Sequence, residues 1–181
     1  MSSNSGANSP IILIRPEQPA FYERILEIHR IAFGGEVEPG IVEKLRAASD
    51  FDPKLSLMAL YDGQVVGHAV FSPATIVGHE NLKGMGLGPV GVLPEYQNQG
   101  IGSALCYEGL EVCRKSGVDY VVVLGHPTYY PRFGFVIAST KGLNNPFKAP
   151  DEAFMVIELK PGALDGVSGD VRFHPAFDGI E

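Results

Sequence analysis

The chain contains no tryptophan and only two cysteines, Cys106 and Cys113. None of its apolar runs approaches the roughly 20 residues that a membrane-spanning helix needs. Positive charge is scarce: 14 Lys+Arg face 21 Asp+Glu, a net charge of −7. That balance argues against non-specific nucleic-acid binding, which depends on cations neutralising phosphates, although it permits one local basic pocket. Met1 to Pro10 offer neither a basic stretch nor an apolar one, so they do not read as a secretory signal. Residues 1–10 are expected to form a disordered tail, and the protein is expected to be cytoplasmic and free of the membrane. The cysteines stand seven positions apart in what reads as one helix. About 10 Å of helix rise separates them, too far for a disulfide. Without neighbouring histidines they make a poor metal site, so they read as reduced core thiols and no metal is expected.

What is present is a globular composition: 181 residues, 45% apolar and 19% charged. That fits one domain over 11–181, either a monomer or a homodimer. Ile11–Arg15 reads as a first strand, ended by Pro16 and Pro19. Phe21, Ile25, Ile28 and Ala32 recur at helical spacing within Ala20–Phe33, and Gly34-Gly35 stops that helix. A second helix is predicted over Pro39–Ala48. Leu55–Tyr61 and Gln64–Phe71 are strand-like runs flanking Asp62-Gly63, a strong short-range hairpin signal; the second can extend to Val77. His79–Lys83 reads as a loop, Gly86–Val92 as a strand, Gly102–Ser116 as a helix and Tyr120–Leu124 as a buried strand. A short helix near Thr128–Phe133 and strands at Phe154–Leu159 and Gly169–Phe173 complete an α/β (α+β) domain. It is read as a mixed, largely antiparallel sheet flanked by helices on both faces.

One segment carries chemistry. In Val90–Gly102 a strand ends at Pro94, a tight loop turns the chain, and a helix begins near Gly100. A helix N-terminus leaves backbone N–H groups unpaired and favours anions. Gly100 and Gly102 would let phosphate oxygens approach without a Cβ in the way. On physics alone two readings stand, an anion-binding turn or a turn that merely uses glycine. A second cluster, Gly84-Met85-Gly86-Leu87-Gly88, precedes a strand instead of following one, so it reads as a loop and a permissive strand start.

Val92-x-Pro94-x-x-Gln97-x-x-Gly100-Ile101-Gly102 is similar to the acetyl-CoA motif of the GNAT family of N-acetyltransferases. Tyr129-Tyr130-Pro131-Arg132-Phe133-Gly134-Phe135, about 30 residues on, resembles that family's Tyr-x-x-x-Gly-Phe segment. With Gly125-His126-Pro127 and Val171-x-Phe173-His174-Pro175-Ala176-Phe177, the pattern resembles the YhbS-like branch of the family. The likeness is specific over 85–135 and extends over 11–177.

The resemblance implies acetyl transfer from acetyl-CoA to a primary amine, on a small molecule or a peptide, by direct attack. Backbone groups of Val90, Gly91 and Val92 would pair with the pantetheine arm, and a strand amide near Val92 would stabilise the oxyanion. Gln97 opens the loop, and the stretch Asn98, Gln99, Gly100, Ile101, Gly102 and Ser103 would hold the pyrophosphate. Tyr130 aligns with the tyrosine that protonates the departing thiolate. His126 stands where the branch has an acidic or small residue; it reads as a substrate contact, as a base at neutral pH, or as a strand-end histidine bonded to backbone. Glu36 and Glu38 lie in the loop before the second helix and read either as acceptor-site acids or as solvated loop charge and helix N-terminal acid. No general base is legible, and His29, His68, His79 and His174 show no ligand spacing. The alternative function is a non-catalytic acyl-CoA-binding or regulatory module. A dinucleotide-binding enzyme is disfavoured by the hairpin upstream of the motif.

Overall fold

Asp62 and Gly63 adopt φ of 47° and 84°. Positive φ at both central residues is what a two-residue hairpin turn requires. In the computed structural model, which describes residues 9–180, this turn joins β2 (Ser56–Tyr61) to β3 (Gln64–Ile76). Asp62 also accepts a hydrogen bond from Ile11 N at 3.0 Å, which docks β1 (Ile12–Pro16) antiparallel to β2. β3 pairs antiparallel with β4 (Gly84–Val92), with a register shift between Ala69 and Phe71. β4 pairs parallel with β5 (Tyr120–Leu124), and β5 pairs antiparallel with β8 (Phe154–Glu158). β6 (Val136–Ile137) edges β8, while β7 (Leu143–Asn144) and β9 (Gly169–Arg172) pair in parallel and join the far end of β3 through Thr75 and Ile76. Among the described residues only β4–β5 and β7–β9 are parallel, so the sheet is mixed and largely antiparallel, as its sequence predicts.

Among the described residues three α-helices cover it: α1 (Tyr22–Phe33), α2 (Val37–Ala47) and α3 (Ile101–Lys115). Gly34 ends α1 in the left-handed region at φ 73°. A Cβ placed on Gly67 of β3 would meet Ile101 and Leu105 of α3, whereas the adjacent His68 reaches His29 of α1. Successive strand residues face opposite sides, so α1 and α3 lie on opposite faces. The core joins Ile25, Ile28 and Leu45 from the α1–α2 layer to Leu105, Cys106, Leu110 and Cys113 of α3 through the strands. Both cysteines are free and buried on one face of α3, as their spacing requires.

Several boundaries differ from expectation. Gly84–Gly88 is strand throughout, not loop, because its glycines make room for rings. A Cβ on Gly84 would stand 2.1 Å from Cζ of Tyr120, and one on Gly86 would stand 2.9 Å from the Phe173 ring. α2 starts at Val37, two residues before Pro39. The short helix near Thr128–Phe133 is a single 3₁₀ turn over Tyr130–Phe133. The two-residue strands β6 and β7 have no hydrophobic period to announce them. Of the tail expected over residues 1–10, all but Ser9 and Pro10 lies outside the described residues.

Candidate active site

β5 follows β4 only from Gly84 to Leu87. From Gly88 onward β4 keeps β3 as its neighbour, through Ala69–Val90, His68–Gly91 and Gly67–Val92, and its other edge is open. Leu93 N donates to Val66 O at 2.9 Å, on the β3 side. By strand alternation the backbone groups of Val92 and Val90 then point toward the open edge. Gln97 confirms the direction: its Nε2 donates to Val92 O at 2.9 Å.

The turn after β4 is built from left-handed residues. Asn98 takes φ 61° and Gly100 takes φ 83°; asparagine and glycine are the residues that tolerate this region. The first hydrogen bond of α3 runs from Ala104 N to Gly100 O at 2.9 Å. The amides of Ile101, Gly102 and Ser103 therefore lie ahead of the helical ladder. No side chain caps them and no acid stands in the first turn. They form a donor cluster at the positive end of a 15-residue helix dipole.

A cavity of about 670 Å³ opens along this edge. Val90, Val92, Gln97, Asn98 and Gly100–Ser103 line one wall, and His126, Tyr129, Tyr130 and Arg132 line the other. The volume is in the range of small-molecule sites. Tyr129 Oη lies 3.3 Å from Ser103 Oγ, and the Arg132 guanidinium stacks over the Tyr129 ring, 4.2 Å from its centroid. Arg132 Nε also donates to Tyr129 O at 2.9 Å, so one cation is fixed at the cavity wall. Tyr130 lays its ring against Gly125, where a Cβ would come within 2.3 Å of it. Burial, and the Cys106 and Tyr129 groups beside it, push the Tyr130 phenol well above its ordinary value, so it keeps its proton at neutral pH. Burial also raises the Cys106 thiol to about 12, which denies it the thiolate form a nucleophile needs.

Not every expected residue joins this wall. Gly91 is buried and faces α1 instead of the cavity. Gln99 turns back, its Nε2 donating to Glu95 O at 3.2 Å. Glu36 and Glu38 stand outside the lining. Glu36 is ion-paired with Arg30 across the α1–α2 turn, and that hydrogen bond holds its carboxyl below the usual range. His126 is exposed at the rim, and its carbonyl accepts from Tyr129 N at 3.0 Å.

Two features escaped sequence reasoning. Tyr96 joins the cavity wall. His29 and His68 meet at 2.8 Å on the α1 side of β4, within a fully buried polar cluster. One signal existed: His68 interrupts the apolar run Val65–Phe71, and a polar group inside such a strand must find a partner.

Residues 13–138 match the family described as acetyltransferase (GNAT) domain. The chain is 38% identical over 168 residues to the uncharacterised N-acetyltransferase YhbS of Escherichia coli strain K12, covering 92% of this chain and 99% of that protein. The crystal structure of E. coli YhbS in complex with CoA superposes with a TM-score of 0.86 at 36% identity, over 96% of this chain and 95% of that one. A GNAT family acetyltransferase from Brucella melitensis, solved in complex with acetyl-CoA, superposes at 0.76 with 39% identity, over 93% of this chain and 99% of that one.

Proposed function

Because the chain belongs to the GNAT family of acetyltransferases, we propose that its cavity is the place where the acetyl group of acetyl-CoA passes directly to a primary amine. The protein is an acetyl-CoA-dependent acetyltransferase, in keeping with the CoA and acetyl-CoA complexes of its relatives. One observation carries the reading of the site. The free amides of α3, the open edge of β4 and the protonated Tyr130 phenol converge on a single cavity.

In this reading the amides from Asn98 to Ser103 hold the pyrophosphate, with Arg132 adding charge. A helix N-terminus binds an anion without lysines, which suits a chain of net charge −7. The open backbone of Val90 and Val92 pairs with the pantetheine arm as an added strand would, and Gly91 keeps that strand slim. Gln97 fixes the loop by its bond to the Val92 carbonyl. The amine nitrogen bonds to the thioester carbon and gives its surplus proton to water, a strand amide near Val92 stabilises the oxyanion, the C–S bond breaks, the sulfur takes the Tyr130 proton, and Tyr130 regains one from water. His126, exposed at the rim, is assigned to the acceptor side. The high thiol pKa of Cys106 favours direct attack over an acyl-cysteine route.

The test is release of free CoA thiol from acetyl-CoA with a panel of amines, run beside thermal shift with acetyl-CoA, NAD and ATP. The expected result is amine-dependent thiol release and stabilisation by acetyl-CoA above the two nucleotides. Stabilisation without turnover on any amine would replace transfer by binding alone.

A further inference from the structure

The cavity that holds Tyr130 has an acid but, among its described lining residues, no carboxylate. Its titratable side chains are Tyr96, Tyr129, Tyr130, Arg132 and His126. Phenols and a guanidinium keep their protons at neutral pH, whereas an imidazole is the side chain that changes charge between about pH 5 and 8. An amine that attacks a thioester ends with one proton too many, so the reaction needs a proton acceptor as well as a donor. Of the lining side chains only His126 has the chemistry of an acceptor at that pH.

The other four histidines are placed elsewhere. His29 and His68 are fully buried and bonded to each other at 2.8 Å, away from the cavity. Burial, with the Arg46 charge as a second cause, lowers His29 to about 4, and burial drives His68 well below its ordinary range. His174 is held at both ring nitrogens: Nε2 lies 3.0 Å from Asp50 Oδ1, and Nδ1 accepts from Ala176 N at 3.0 Å. His79 sits in the loop between β3 and β4, outside the cavity lining. His126 is exposed at the cavity rim, and among the described residues its ring nitrogens have no hydrogen-bond or ion-pair partner.

Its position is nevertheless fixed, through the backbone. Gly125 N donates to Ala153 O at 2.9 Å, which carries the β5–β8 pairing one residue beyond Leu124. The His126 carbonyl accepts from Tyr129 N at 3.0 Å and closes the next turn, while Pro127 disfavours a helical backbone at His126. β5 has parted from β4 by then, since their last paired residues are Leu87 and Val123. His126 and Tyr130 therefore share the wall that stands across the cavity from Val90 and Val92. The titratable groups on the elements beside His126 are Tyr129, Tyr130 and Arg132 of its own loop, Tyr96 across the cavity, and Asp151 and Glu152 of the turn before β8.

Resting on the acetyl-transfer reading, we propose that His126 is the general base of the reaction, taking the attacking amine's surplus proton from the water that first receives it. The amine nitrogen bonds to the thioester carbon and becomes cationic. Its surplus proton passes through one water to the bare imidazole nitrogen, and His126 becomes an imidazolium. The oxyanion's electron pair reforms the carbonyl, the C–S bond breaks, and the sulfur takes the Tyr130 proton. The imidazolium then gives its proton to solvent, and Tyr130 regains one from water. Amine plus thioester become amide plus thiol, with no net proton gained or lost and both side chains back in their starting forms. Exposure serves this role twice. A charged imidazolium in contact with solvent escapes the desolvation that disfavours charge on a buried one. The exposed ring also exchanges protons with bulk water, so its tautomers re-equilibrate between turnovers.

The test is the pH profile of kcat in the full chain, at saturating amine and acetyl-CoA. Wild-type kcat should fall as pH drops through the imidazole range, because the base must be neutral to act. His126→Gln keeps a polar side chain but has no basic nitrogen. At neutral pH its kcat should be about 10²-fold lower with KM for acetyl-CoA unchanged, the range for loss of a proton-transfer group, and the acidic fall should flatten. In His126→Ala, imidazole added to the buffer should restore turnover in proportion to its neutral form, a rescue that a purely structural loss would not show. Wild-type kcat and profile in His126→Gln overturn the proposal, and so does a deficit with an unaltered profile and no rescue. A wild-type kcat that is flat across the imidazole range overturns it whether or not the variants fold. Absence of wild-type turnover on every amine overturns acetyl transfer and the base with it, whereas full turnover in His126→Gln removes the base alone.

Discussion

The Tyr129 hydroxyl stands 3.3 Å from Ser103 Oγ, in the first turn of α3. It also fills the space a side chain on Gly102 would need, 2.9 Å from that Cβ position. Its neighbour Tyr130 turns the other way, ring against Gly125, and its hydroxyl makes no hydrogen bond among the described residues. Adjacent tyrosines are thus divided between holding the helix end and presenting a free phenol to the cavity.

This division is separable by mutation. Tyr130→Phe should lower kcat by about 10²-fold, the usual contribution of a general acid, with KM for acetyl-CoA nearly unchanged. Tyr129→Phe should act mainly on acetyl-CoA affinity, because it loses only the Ser103 contact. Steady-state kinetics on both variants checks this, and full kcat in Tyr130→Phe would remove the phenol from proton transfer.

Gly102→Ala tests the anion cradle. Alanine is the better helix former by about 1 kcal/mol, so the fold should not suffer beyond a shift of the Tyr129 phenol. The new methyl would sit among the free amides of α3. CoA affinity, measured by calorimetry, should fall about 10-fold, roughly 1.4 kcal/mol. Unchanged affinity would move the pyrophosphate away from this helix end.

Gly109 presents the opposite balance. It lies inside α3, where alanine would again gain about 1 kcal/mol in helix propensity. Its Cβ, however, would come 2.2 Å from Cε2 of Phe71 on β3. Overpacking a core typically costs about 1–3 kcal/mol, so packing wins. Gly109→Ala should lose about 1 kcal/mol by urea denaturation, and Phe71→Leu in the same chain should restore much of it.

Such glycines explain where sequence reading stops. Turn glycines announce themselves: Gly63 follows Asp62, Gly34 follows a helical period, and Gly100 follows a strand and a proline. Those local patterns suffice for the hairpin, the end of α1 and the turn from β4 into α3. Gly84, Gly86 and Gly109 are required by rings of Tyr120, Phe173 and Phe71, which are distant in sequence, and no local pattern encodes that. The same distance hides the histidine pair. His29 and His68 are separated by 39 positions, on a helix and a strand, and only the packing of α1 over β3 brings them together. Tyr129 and Tyr130 were both visible, but their opposite orientations follow from the left-handed Gly134 that closes their 3₁₀ turn and from the space at Gly125.

The buried histidines also fix how stability responds to acid. In the unfolded chain each titrates near 6.5, whereas in the fold His29 is lowered to about 4, first by burial and then by Arg46. Below about pH 6.5 the unfolded state therefore binds more protons than the folded one, and protonation favours unfolding. The stabilisation is complete above that value and is lost as pH falls toward 4. The groups facing the pair are Arg46 from α2, Glu17 after β1 and Ser56 at the start of β2, and none of them reverses the sign. Between about pH 7 and about pH 5 the His29 share is on the order of 2 kcal/mol, with His68 adding in the same direction. Urea denaturation at the two pH values should show that loss in the wild type and a shallower one in His29→Gln, which retains Glu17 and Arg46. Equal pH dependence in both would mean that His29 titrates alike folded and unfolded, and would take the acid loss away from this histidine.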